Sequence, residues 1–179
     1  MLAPYTTVKL ATDRFVAEGA QRGMVGAIIE VYADGHYEVE FSDPVTGVTI
    51  AQIVAEEAEL LPRIELGHYG CVDPRHDNDP YEHGQYLIEL RQDGAAIAFI
   101  YSYESRSNHG FSLDKHRGVV TDPFASPLEV ELIERTASGY EDYYKEDLDS
   151  HSTERVRVTL ERIGDKLRYA HRLYAIESH

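Results

Sequence analysis

Between Met24 and Phe41 the chain reads MVGAIIEVY, ADGH, YEVEF, and this run constrains the fold more than any other. In its second half Tyr37, Val39 and Phe41 alternate with Glu38 and Glu40. A period of two puts the apolar side chains on one face of an extended strand, whereas a helix repeats near 3.6. Asp34-Gly35 separates the two halves, and Gly accepts the positive φ that a two-residue hairpin turn demands. The pattern returns later. Asp93-Gly94 divides QYLIEL from AAIAFIYSY, and Val156, Val158 and Leu160 alternate with Arg157, Thr159 and Glu161 before GDK leads into LRYAHRLYAI. The expected fold class is all-β, built from antiparallel strands.

The runs divide the chain. TTVKLA, the hairpin above, a turn at SDPVTG, VTIAQIV and the acidic AEEAELLP place four or five short strands in residues 1–63. Closure into a small barrel would hide the edges of so short a sheet, with Ile28, Val31, Val39 and Phe41 in its core. Residues 64–84 contain CVDPRHDNDPYEHG, poor in periodic apolar content, and read as a linker or irregular loop. Residues 85–179 resume strands at QYLIEL, AAIAFIYSY, RGVV, PLEVELIER, TERVRVTLER and LRYAHRLYAI. They are expected to form a β-meander of six strands or a partly open barrel.

The first third also carries a resemblance. Gly23, Gly26, Glu30, Val31, Tyr32, Gly35, Tyr37, Glu38, Val39, Glu40, Phe41 and Gly47 follow the pattern of a small bacterial SH3-like (KOW-like) barrel domain family of unknown function, over residues 5–63. The resemblance implies a small barrel. Some similar domains sit beside bacterial toxin genes as candidate immunity proteins. No catalytic residues carry over from that family. On the physics of the motif, Gly23 and Gly26 permit tight turns, and Tyr37 is placed to pair across the strands with Tyr32 or a neighbour.

Charge narrows the function classes. Seventeen Lys and Arg oppose 32 Asp and Glu, a formal net charge of −15. The excess is shared, with 4 basic and 11 acidic side chains in residues 1–66 and 13 and 21 in residues 67–179. Such a field repels nucleic acid and anionic membrane and favours a basic partner. Cys71 is the single cysteine, so no intrachain disulfide and no multi-thiolate zinc site form. With no apolar leader and no stretch near the roughly 20 residues that span a bilayer, a cytoplasmic location is expected.

Catalytic motifs are lacking. Ser126, His116 and Asp122 make a triad only on paper, because no nucleophile elbow surrounds a serine. Cys71 with His68 or His76 lacks a supporting motif. Asp73, His76, Asp77, Asp79 and His83 are ligand types for zinc or manganese, but in a Pro-broken stretch they read as turn chemistry; no metal and no cofactor is expected. The sharper cluster is GYEDYYKEDLDSH, where Tyr140, Tyr143 and Tyr144 interleave with Glu141, Asp142, Glu146, Asp147 and Asp149. Tyrosine gives contact area at low entropic cost, and carboxylates beside it complement Arg and Lys. These residues, with Glu38 and Glu40 as a second surface, are the expected binding site for a basic protein. The expected function is therefore an immunity-type protein that neutralises a bacterial toxin domain by direct binding. The alternatives are a small-ligand barrel, with Phe99, Tyr101, Tyr103, Tyr169 and Tyr174 lining its cavity, or an accessory docking subunit of an enzyme.

Overall fold

The computed structural model describes residues 1–71, 83–107, 110–141, 146–147, 149–164 and 166–177. The chain divides into two units, Met1–Ile64 and Glu65–His179. Both are built from antiparallel strands, as the alternation requires.

The first unit holds β1 (Thr7–Leu10), β2 (Val25–Val31), β3 (Tyr37–Ser42), β4 (Thr49–Ala55) and β5 (Leu60–Pro62) in the spatial order β4-β3-β2-β1-β5. The end strands β4 and β5 do not pair with each other, so the expected closed ring is an open sheet. β5 is only three residues long and pairs with β1. Its Pro62 cannot donate to a further ladder, which suits an edge strand. A 3₁₀ turn at Glu57–Glu59, closed by a capping box between Glu56 and Glu59, leads from β4 into β5. Ile28, Val39 and Phe41 are buried as expected, joined by Tyr37, while Val31 packs at the margin.

Three local expectations fail, each for an identifiable reason. Gly35 has φ +89°, but the loop is three residues long, closed by the Tyr32 amide on the His36 carbonyl at 2.9 Å. Because that loop sets Tyr32 against His36, Val31 and not Tyr32 stands opposite Tyr37, so the expected aromatic pair does not form. Gly26 makes no turn. It lies in β2, where a Cβ would come within 2.4 Å of the Glu40 carbonyl oxygen and 2.8 Å of the Phe41 ring.

The second unit is a barrel. Its wall runs β6 (Gly67–Cys71), β7 (His83–Asp93), β8 (Ala96–Ser107), β9 (Gly110–Val120), β10 (Leu128–Glu141), then β13 (Val156–Ile163), β14 (Lys166–Tyr169) and β15 (Arg172–Ile176). β15 pairs back onto β6, which closes eight strands and leaves the wall without an edge. The meander thus closes fully. Two short strands, β11 (Glu146–Asp147) and β12 (Ser150–Ser152), lie outside the ring on the far part of β10.

The eight strands exceed the six expected for two reasons. Gly67–Cys71, inside the stretch read as irregular, is a wall strand. LRYAHRLYAI splits into β14 and β15 at Ala170 and His171, which take φ +47° and +67° without any glycine to announce a turn. β9 is far longer than RGVV because its polar residues face the barrel end described below, and that hides the alternation. An eight-stranded barrel is just wide enough to be filled by side chains or to hold one small ligand. Here Leu90, Ile97, Phe99, Val120, Leu128 and Leu160 are buried and fill one part of it.

Candidate functional site

The outward face of the first sheet follows from its register. Glu40 stands between Ala27 and Gln52, and Glu38 between Glu30 and Val54. Paired residues share a face, so these side chains, opposite to buried Val39 and Phe41, all look outward. Glu38 and Glu40 are half-buried and held by neighbours. The Tyr32 hydroxyl donates to Glu38 at 2.8 Å and the Gln52 amide donates to its other oxygen. Thr49 and Ser42 donate to Glu40. The bond to Glu38 raises the Tyr32 phenol pKa. Around these fixed carboxylates, Val25, Ile50 and Val54 are exposed to 46%, 50% and 44%, an unusual amount for β-branched side chains at strand positions.

The Tyr-acid cluster lies in part on paired backbone. Tyr140 and Glu141 end β10, and their backbone pairs with Asp147 and Glu146 of β11. Asp149 follows, exposed. Asp142, Tyr143 and Tyr144 lie outside the described residues, as do Asp73, His76, Asp77 and Asp79; His83 opens β7. Among the described residues no group of three or more His, Cys, Asp or Glu could hold a metal ion.

A second polar constellation lies in the barrel. Tracing the register across the wall gives two rows, Ile88–Tyr101–His116–Arg135–Ser152 and Tyr86–Tyr103–Asp114–Ala137–Ser150. The buried members Ile88, Tyr86 and Tyr101 show that both rows face inward. Tyr169 of β14 crosses the interior, packing edge-on to Phe99 and Tyr101 with ring centres 5.3 and 5.2 Å away. Its hydroxyl lies 2.8 Å from Nδ1 of His116, whose Nε2 is 3.3 Å from Asp114. Nδ1 of His116 thus shares a hydrogen bond with the Tyr169 hydroxyl, and Nε2 faces the Asp114 carboxylate.

Farther round, Tyr86 stacks on Tyr103 at 4.2 Å, and the Arg172 guanidinium covers the Tyr86 ring while donating to its hydroxyl at 2.6 Å. Burial pushes the Tyr69 and Tyr101 phenols up to about 12 and raises those of Tyr86, Tyr169 and Tyr174. At neutral pH these phenols therefore stay protonated.

Of the residues picked out for a cavity, the structure brings Phe99, Tyr101 and Tyr169 together, with Tyr103 in the neighbouring row. His116 meets Tyr169 and Asp114; Asp122 instead accepts the Phe124 amide at 3.0 Å. Asp114 and Arg135 had no signal in the sequence, since only the register makes them neighbours.

Comparison with family models matches residues 5–62 to a domain of unknown function (DUF4926). Comparison with curated proteins and with solved structures gives no match.

Proposed function

We propose that this chain is an immunity-type binding protein that recognises a basic partner, a bacterial toxin domain, in the cytoplasm. One observation carries the reading: Glu38 and Glu40 are locked by side-chain donors on a sheet face that also exposes Val25, Ile50 and Val54. Fixed carboxylates lose little entropy on meeting Arg or Lys, and adjoining apolar area supplies the attraction that slows dissociation. The net charge of −15 steers a basic protein toward it. The SH3-like resemblance of residues 5–63 supports a docking role by analogy of fold. Tyr140–Asp149 is a second acidic surface for the same partner.

The test starts from the partner captured from the native cell and purified. Glu38→Gln with Glu40→Gln should slow association and flatten its salt dependence. Ile50→Ser with Val54→Ser should speed dissociation, and amides at Glu141, Asp142, Asp147 and Asp149 measure the hairpin's share. Binding kinetics untouched by all three sets would refute the reading.

A further inference from the structure

We infer that the end of the barrel binds a small zwitterion of the α-amino acid class, in a cleft of about 260 Å³ between β9, β10 and β12. Asp114, His116, Arg135, Thr136, Ser150 and Ser152 line it. The volume falls below the roughly 300–1,000 Å³ of drug-sized sites, so the occupant has few heavy atoms.

The charges of the lining select its chemistry. Asp114 and Arg135 face the same cleft without pairing to one another. Ala137 lies opposite Asp114, and Arg135 opposite His116, so the two charged residues are diagonal neighbours, roughly 7–8 Å apart along the ladder. Arg135 reaches Ser152 at 3.3 Å and the exposed Glu154 at 3.9 Å, and its Nε is buried with no hydrogen-bond partner. A buried donor left unmade is costly, and a bound carboxylate would satisfy it. One Asp114 oxygen lies 3.3 Å from Nε2 of His116, and its other oxygen is the natural acceptor for an ammonium group. Tyr169 holds His116 in that orientation. Thr136, Ser150 and Ser152 supply hydroxyls that serve either end of such a ligand.

A plain anion fits less well. It would meet Asp114 at close range, and the chain's net charge of −15 would oppose its approach. A zwitterion has no net charge, so the long-range field neither repels nor concentrates it, and each end finds its own counter-charge in the cleft.

The experiment titrates the full chain with glycine, L-alanine, L-serine and L-glutamate, following backbone and imidazole resonances by NMR. Acetate and propionate serve as carboxylate-only probes, methylamine and ethylamine as amine-only probes. At least one amino acid should bind saturably at one site and shift the His116 ring signals, with the one-ended probes weaker by about tenfold or more. Asp114→Asn and Arg135→Gln should each weaken binding by a similar factor, while Arg117→Gln, at an exposed wall position, should not. Spectra of each variant establish that it is folded. No saturation below about 10 mM, equal binding of acetate, or affinity unchanged in both site variants would each overturn the inference.

Discussion

Phe41→Ala tests the packing of the first unit most directly. The ring is fully buried at the centre of the small sheet and lies against Gly26, where a Cβ would come within 2.8 Å of it. Gly26 has no side chain to swing into the space, so the cavity should persist. Truncating a buried Phe costs about 3–5 kcal/mol. A unit the size of Met1–Ile64 holds roughly 3–10 kcal/mol in total, at about 0.05–0.15 kcal/mol per residue. The substitution should therefore remove about a third or more of that stability. Phe41→Leu, nearer in volume, should cost about 1.5 kcal/mol or less. Hydrogen exchange read by mass spectrometry gives opening free energies from peptides of β2–β4 separately from those of β7–β10. The loss should be graded Leu before Ala and confined to the first set. A drop below about 1 kcal/mol for the Ala variant would mean that the ring does not carry the core it appears in, and would refute the argument from burial.

Two further expectations concern the barrel. Ala170 and His171 occupy the left-handed region, which costs a non-Gly residue about 1–2 kcal/mol, so Ala170→Asn with His171→Gly should raise stability by about 1 kcal/mol or more; thermal melting measures it, and a lower midpoint would contradict the turn assignment. The buried phenols govern alkaline stability. Tyr69 and Tyr101 have folded values raised from 10.0 to about 12, so the fold keeps their protons while the unfolded chain gives them up. Their contribution is intact below pH 10 and is lost as pH climbs from about 10 through about 12. Tyrosinate absorbance should rise in two stages, the later one coinciding with loss of the β-sheet circular dichroism signal. All 13 tyrosines titrating together near pH 10 with the sheet signal intact would rule this out.

The sequence determined the fold class and the main strands, because both depend on local properties. A period of two in YEVEF and VRVTLERI admits only extended strands, and Gly94 or Gly164 at positive φ marks a turn wherever it stands. The buried set of Ile28, Val39 and Phe41 came from the same alternation. Tertiary structure decided what alternation cannot express. Closure of the second sheet rests on β15 meeting β6, two segments about a hundred residues apart whose pairing leaves no local trace. The three-residue loop, which sets Tyr32 against His36 instead of Tyr37 and leaves its hydroxyl on Glu38, is a matter of register. The barrel end was hidden for the most physical of reasons. Asp114, His116 and Arg135 are polar residues facing inward, so they break the pattern by which strands are recognised, and their company with Tyr169 and Ser152 exists only once four separate strands are laid side by side.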